Sequence, residues 1–249
     1  MTSNRNVDPA DIDALMSDER MHKPYPIQEY ITYCGTIRQS IWNNDNPPEK
    51  AVTFFENRFV LEMEPIAMIC KQLLDEGVLD GTAMVQCLRP GVEDPPDAKV
   101  MTTEKTVQIE VTTSIDRYLD KVAIKLSKQG RPVSTTGHTS SDVSGSERSG
   151  YTINGYDVEV EAVDKIIAKQ KARIAEAIAK KLDKAWSQHG DYNVLCVFVG
   201  DNSIPEAECA EFLSMLKNVF AEFRTRLRES NFHRVFMFGN MHSSINFTV

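Results

Sequence analysis

Apolar residues recur along the chain with two distinct periods, and these predict a mixture of helices and strands. Helical spacing runs through residues 26–42 and through Glu49–Asp75, where Pro65 predicts a kink or two abutting helices. Two further amphipathic helices are predicted at Val158–Trp186 and Glu206–Arg228. The first of these two carries an apolar stripe, so we expect one of its faces to be buried.

Strand-like segments lie between these helices. Thr106–Thr112 alternates apolar and polar residues, so Val107, Ile109 and Val111 should share the face toward the core. Val194–Val199 is an uninterrupted apolar run, which is typical of a strand buried on both faces. Further strands are predicted at Thr82–Leu88, Val100–Met101, Arg234–Phe238 and Ser243–Val249. The order of elements predicts an α/β fold with a central mixed β-sheet flanked by helices.

Polar segments divide the chain into an N-terminal extension and one main domain. Residues 1–25 are polar and acidic, which predicts a flexible arm with a short helix near Pro9–Ser17. Residues 43–48 (NNDNPP) form a cluster that breaks regular structure. We therefore expect an arm and helical extension over 1–48 and an α/β domain over 49–249.

The main domain is interrupted by a segment poor in large apolar residues. Residues 130–150, which follow a predicted helix at Asp116–Gln129, are rich in Ser, Thr and Gly. Such a composition cannot bury enough apolar surface to offset the chain entropy lost on ordering. It predicts a flexible insertion, either a mobile loop or a partly ordered one.

Composition and charge narrow the classes of function. The chain has 249 residues, of which 41% are hydrophobic, and a net charge of −8. This acidic balance counts against a generally sticky nucleic-acid surface but leaves room for a local basic groove. The N-terminus lacks a secretory pattern and no apolar run reaches the roughly 18 residues of a membrane span, so we expect a cytoplasmic protein without membrane contact. Cys70 and Cys196 lie in apolar runs and are expected to be buried free thiols. The sequence is compatible with a homo-oligomer.

The candidate chemistry lies in two acidic residues. Pro96-Asp97 is followed, after twelve residues, by Glu110-Val111-Thr112. An acid at the start of one strand and another in the middle of the next can converge on Mg²⁺ or Mn²⁺, because such hard cations prefer oxygen ligands. A metal held there can polarise a phosphoryl oxygen and lower the pKa of a bound water.

This pattern resembles the PD-(D/E)XK superfamily of nucleases and nuclease-like proteins, over roughly residues 50–200. The resemblance implies a restriction-endonuclease-like core of a helix, three strands, a helix and a fourth strand. It implies that Asp97 and Glu110 bind the metal together with a glutamate from the first helix. By position that glutamate is Glu64 or, failing it, Glu62.

The chain departs from the motif at its last position. Thr112 stands where the family has a lysine that positions the attacking water and stabilises charge in the transition state. A threonine hydroxyl supplies no positive charge. Some members of the family take the equivalent cation or amide from the following helix, so Lys165, Lys169 and Gln170 are catalytic candidates here.

Simpler interpretations stay open for each of these residues. Asp97 fits a turn, Glu110 a solvent-facing strand position and Glu64 the entry of a helix. The basic residues of the long helix fit either a solvated face or a nucleic-acid-binding face, and they include Lys171, Arg173, Lys180 and Lys181. Three functions are consistent with the sequence. The first is a metal-dependent nuclease for DNA or RNA, for example a restriction or defence enzyme. The second is an inactive nuclease-fold protein used for binding or assembly, and the third is an unrelated α/β interaction module.

Overall fold

The computed structural model describes residues 9–42, 49–89, 96–114, 122, 125–126, 143–146, 150–153, 163–183, 190–199, 209–238 and 244–249. A seven-stranded mixed sheet with helices on both faces forms the centre of the molecule. The predicted α/β class is therefore confirmed.

The six predicted strands occur at or close to their predicted positions, and the described residues also contain short strands at Tyr25–Pro26, Val143–Ser146 and Gly150–Ile153 that were not predicted. In chain order they are β1 Tyr25–Pro26, β2 Met84–Cys87, β3 Ala98–Met101, β4 Thr106–Thr113, β5 Val143–Ser146, β6 Gly150–Ile153, β7 Tyr192–Phe198, β8 Arg234–Phe238 and β9 Ser244–Thr248. The large sheet has the order β1-β2-β3-β4-β7-β8-β9. The pairs β4–β7 and β7–β8 are parallel and the remaining pairs are antiparallel.

The helices are α1 Pro9–Leu15, α2 Asp18–His22, α3 Ile27–Trp42, α4 Glu49–Phe54, a π-helix Phe55–Met63, α5 Glu64–Asp75, α6 Val163–Leu182 and α7 Cys209–Glu229. The junction expected near Pro65 lies where the π-helix ends and α5 begins, because proline in the first turn of a helix loses no hydrogen bond. The π-helix itself was not predicted. No described helix is both long and apolar enough to cross a membrane.

The two faces of the sheet are covered by different parts of the chain. The N-terminal helices pack on one face, where Val107, Ile109 and Val111 are buried as predicted. The helices α6 and α7 cover the other face. There the stripe of α6 is buried at Ile174 and Ile178, as expected, because these residues contact the apolar side of β7 and β8.

The expectation of a flexible N-terminal arm is wrong for residues 9–25. Ile12, Met16, Met21 and Tyr25 are all buried and belong to the same core as the sheet. Their spacing of four or five residues places them on one side of two short helices, so even a mostly polar segment presents a continuous apolar edge. The N-terminal extension is thus part of the domain core.

The predicted insertion contains ordered structure at its C-terminal end. Strands β5 and β6 pair as an antiparallel hairpin separate from the large sheet. The remaining residues of 130–150 lie outside the described residues, as does most of the helix predicted at Asp116–Gln129.

Alanine substitution at two glycines tests the packing, because the two changes should shift the free energy of unfolding in opposite directions. A Cβ on Gly190 would lie 2.8 Å from Cγ of Gln108 and 3.0 Å from the carbonyl oxygen of Thr106. Gly190→Ala should therefore lower the free energy of unfolding by about 1–3 kcal/mol. Gly35 lies inside α3 with nothing within 4 Å of its Cβ position. Gly35→Ala should raise the stability by about 0.5–1 kcal/mol, and urea unfolding measures both. Equal effects of the two substitutions would contradict the close approach at Gly190.

Candidate active site

Asp97 is held where β3 and β4 meet. Its backbone N–H donates to the carbonyl of Ile109 (3.0 Å), and its own carbonyl accepts from the N–H of Leu88 (2.9 Å). Its carboxylate oxygen Oδ2 accepts the N–H of Val111 (2.6 Å). A strand N–H points in the plane of the sheet, so this carboxylate lies between the two strands and stands in for a backbone acceptor. Asp97 therefore stabilises β4 rather than only a local turn.

The charge of Asp97 acts on two buried thiols beside it. Burial raises the pKa of Cys87 to about 12, and the negative charges of Glu62 and Asp97 act in the same direction. Burial also raises the pKa of Cys196, with Asp97 contributing. Cys87 is the strand partner of Ala98 and Cys196 that of Val111, so both effects fit the position of the carboxylate.

Glu110 leaves β4 toward α6 and is only 1% exposed. Its carboxylate oxygen Oε1 forms an ion pair with the ammonium of Lys181, whose side chain is 17% exposed. The interpretation of Glu110 as a solvent-facing strand residue is thus wrong, because α6 covers this face of β4. A buried carboxylate needs a positive partner to compensate for lost hydration, and Lys181 provides one.

Asp97 directly precedes β3, and Glu110 lies in the adjacent strand β4. Asp97 binds the N–H of Val111, whereas Glu110 pairs with Lys181. Thr112 follows two residues after Glu110 on β4 and is half-buried. Gln170 is buried on α6 (3% exposed), and Lys169 beside it is half-buried. Lys165 belongs to α6, but its side chain lies outside the described part of the chain.

The two candidate glutamates from the first helices have different surroundings. Glu64 begins α5 and forms an ion pair with Arg38 of α3. Glu62 lies in the π-helix, 3.8 Å from Arg58 between Oε2 and Nε. The negative charge of Glu62, like that of Asp97, adds to the effect of burial in raising the pKa of the Cys87 thiol. A π-helix is rare and often occurs at functional sites, because it changes the direction of its side chains.

Sequence reasoning missed the groups that surround this end of the sheet. His22 Nδ1 contacts the carbonyl of Cys87 (3.0 Å), and its Nε2 contacts Nη2 of Arg58 (3.0 Å). The same Nε2 lies 3.3 Å from Oδ1 of Asp18, so the ring lies between α2, the π-helix and the end of β2. Nothing in the spacing of His22 and Arg58 along the chain indicates the contact, because they lie on separate helices.

The ion pair of Lys181 was also missed, although the sequence carried a signal. Lys181 was grouped with the basic helix face, yet it follows Ile174 by seven residues and Ile178 by three. That spacing places it on the buried stripe of α6. Of the other basic residues, Lys171 pairs with Glu222 of α7 (2.5 Å) and Lys180 with Glu176 (2.7 Å).

The oxygen ligands at this site are of the kind that binds magnesium, but they are few. Asp97 and Glu110 offer carboxylate oxygens, which are the ligands that Mg²⁺ prefers, whereas Glu62 belongs to the helices on the face of the sheet opposite α6. Within the described residues, no group of three or more His, Cys, Asp or Glu side chains is arranged to hold a metal ion. Mg²⁺ is commonly bound through one or two carboxylates with water and substrate phosphates completing its shell, so a pair of carboxylates is compatible with it.

Comparisons with known proteins do not assign a role to these residues. A scan of family models, a search of curated proteins and a search of solved structures each find no match.

The buried ion pair can be compared with an exposed pair on the same helix. Lys181→Met should lower the free energy of unfolding by about 3–5 kcal/mol, because it leaves Glu110 buried without its cation. Lys180→Met removes the exposed partner of Glu176 and should cost less than about 1 kcal/mol. Denaturant unfolding of both variants measures the difference.

The double variant Glu110→Gln with Lys181→Met completes the test. It should be more stable than Lys181→Met alone, because no uncompensated charge remains. Equal stabilities of Lys181→Met and Lys180→Met would contradict the ion pair.

Proposed function

We propose that this protein is a Mg²⁺-dependent nuclease that hydrolyses phosphodiester bonds of DNA or RNA, with Asp97 and Glu110 as its metal-binding acids. The observation that carries the proposal is the contact of the Lys181 ammonium with the Glu110 carboxylate, one residue from the point where Asp97 is held. This contact supports the proposal because α6 supplies a cation to one of the two acids of the motif, where the motif lysine is replaced by Thr112.

The chain's own groups divide the chemistry between them. The metal, when bound, polarises a phosphoryl oxygen and lowers the pKa of its water. Asp97 is fixed by the N–H of Val111, so its carboxylate needs little reorganisation to act as a ligand. Lys181 compensates the charge of Glu110 and can stabilise negative charge on a phosphate once the acid binds a metal.

A second function is favoured by one observation. Glu110 is only 1% exposed and already forms an ion pair, as a buried acid does when its role is to stabilise the fold. We therefore keep as the alternative a nuclease-fold protein that has lost catalysis and serves as a binding or assembly component. Metal response and cleavage together separate the two functions, because Mg²⁺ stabilises any folded protein that binds it but only the nuclease also cleaves nucleic acid.

Mg²⁺ or Mn²⁺ should raise the melting temperature of the wild type. At ten times the dissociation constant the gain is about 1.4 kcal/mol, or roughly 3–6 °C for a chain of this size. Asp97→Asn keeps an oxygen able to accept from Val111 but removes the charge, so it should abolish the gain. The double substitution Asp97→Ala with Glu110→Ala should do the same and eliminate cleavage.

Asp191 provides a matched control for Asp97. Its Oδ2 accepts the N–H of Thr106 (2.8 Å), so both aspartates bind a backbone N–H of β4 through the same atom. Asp191→Asn should keep the metal response and any cleavage of plasmid, single-stranded DNA or RNA. Absence of a metal response in the wild type would remove the nuclease proposal in favour of the inactive alternative.

The source of the cation can be tested by moving it. Lys181→Met should reduce metal-dependent cleavage by about 100-fold or more, since a positioned cation in a site shielded from water contributes on that order. Thr112→Lys returns a lysine two residues after Glu110 on the same face of β4. The double variant Thr112→Lys with Lys181→Met should therefore regain activity.

Cleavage rates from single-turnover assays measure this rescue. If Lys181→Met, once shown to be folded, cleaves at the rate of the wild type, Lys181 has only a structural role.

A further inference from the structure

The large sheet has two edge strands of different character. At one edge, β1 has two residues, the second of which is Pro26, and it directly follows Lys23 and Pro24. Short length, proline and lysine are features that keep an edge strand from pairing with another chain. At the other edge, β9 spans five residues and contains no charged side chain, proline or glycine. The edge at β9 therefore lacks the features that protect β1.

A hydrogen bond at the end of β9 shows which of its backbone groups face β8. The N–H of Val249 donates to the carbonyl of His233, which directly precedes β8 (3.1 Å). In an antiparallel pair, every second residue exchanges hydrogen bonds with the neighbouring strand. The register of β8 and β9 continues that of Val249 and His233, so Phe247 and Ile245 are the residues of β9 that bond to β8.

The alternate residues of β9 direct their backbone N–H and carbonyl groups away from β8, and they are Ser244, Asn246 and Thr248. Within the part of the chain that the structure describes, the outer side of β9 pairs with no other strand. Such an edge is a template for one more strand, because its donors and acceptors already have the spacing of a β-ladder.

The sequence of β9 is suited to pairing with itself. In an antiparallel pair centred on Asn246, that residue lies opposite its own copy, and Ile245 lies opposite Phe247 of the other copy. Ile245 and Phe247 are only partly buried beside the core under α7, where Phe247 stacks on Phe220 (4.4 Å between ring centroids). Self-pairing places apolar side chains opposite apolar ones on this face. No like charges meet within the strand, because Ser244–Thr248 has no charged side chain.

We propose that two copies of this chain associate through β9, which pairs antiparallel with its counterpart about a two-fold axis at Asn246 and joins the two sheets into one. The pair adds about six backbone hydrogen bonds, two for each outward-facing residue. A two-fold interface is closed, so it produces dimers and not fibres. Since a strand of this length buries less surface than most stable dimers, we expect a dissociation constant of roughly micromolar order. The inference does not depend on the proposed nuclease function.

The first test is sedimentation velocity of the full chain over a wide range of concentrations, in which the wild type should shift from monomer to dimer. Asn246→Pro removes the central outward N–H without removing a hydrogen bond to β8. It should raise the dissociation constant of the dimer by about tenfold or more, because the two central hydrogen bonds are lost. The side-chain amide of Asn246 also donates to Glu76 (3.1 Å). Asn246→Ala is therefore the matched control, since it loses this contact but keeps the backbone N–H, and it should dimerise as the wild type does.

A charge exchange at the same position tests the identity of the partner. Asn246→Lys and Asn246→Glu each place like charges directly opposite one another at the two-fold axis, so each variant alone should dimerise more weakly than the wild type. An equimolar mixture of the two should form dimers again, because opposite charges then meet across the axis. Far-UV circular dichroism shows whether each variant is folded. The rescue is specific to the pairing of β9 with a second β9.

The outcomes decide the inference directly. A wild type that stays monomeric throughout would overturn it, and the edge would then be open only to a strand from another protein. Equal dimerisation of Asn246→Pro and Asn246→Ala would place any dimer interface elsewhere and would overturn it as well. A mixture of Asn246→Lys and Asn246→Glu that dimerises no better than either variant alone would contradict the two-fold axis at this residue. None of these results bears on the nuclease proposal, which concerns β4 and α6.

Discussion

The burial of β4 on both faces is the constraint on which the rest of the structure depends. This strand lies at the centre of the seven-stranded sheet, antiparallel to β3 and parallel to β7. One of its faces is apolar and packs under the N-terminal helices, whereas the other presents Gln108 and Glu110 to α6. Because a carboxylate cannot remain charged in an interior without compensation, covering Glu110 requires a cation. Lys181 supplies it, and the pair links α6 to the sheet at a defined position.

The space beneath α6 is therefore divided into an apolar and a polar half. Toward β7 and β8, Ile174 and Ile178 make an ordinary hydrophobic contact. Toward β4 the same helix presents Lys181, which pairs with Glu110. Replacing interior ionic groups by apolar residues of similar size is often neutral or stabilising, so stability alone gives little reason to keep them. The ion pair of Glu110 and Lys181, on the strand to which Asp97 is bound, is the physical basis of our proposal.

The N-terminal residues complete this end of the sheet. Through His22, helix α2 contacts both the carbonyl of Cys87 at the end of β2 and Arg58 of the π-helix. In the π-helix, Nε of Arg58 in turn lies 3.8 Å from Oε2 of Glu62. These contacts join segments distant in sequence, which is why residues 9–25 belong to the core of the domain and cannot be treated as an appendage.

The sequence by itself determined the class of fold, because periodicity reflects which side of each element meets the core. Alternation in Thr106–Thr112 and the unbroken apolar run of Val194–Val199 predicted strands that the structure contains, and the stripe on α6 predicted its buried face. The spacing of Asp97 and Glu110 predicted that they would lie on neighbouring strands. Local patterns succeed here because each concerns residues within one element.

Only the tertiary structure decided the partners of those residues. The alternation of β4 left Glu110 open to solvent or to a covering helix, and the chain folded α6 over it. The basic residues of α6 looked alike in sequence, yet Lys181 compensates a buried acid, Lys171 binds α7 and Lys180 pairs with Glu176 on its own helix. A hydrogen bond between His22 and Arg58 has no local signature, because it depends on how separate helices pack. Long-range packing, rather than pattern, assigns each charge its role.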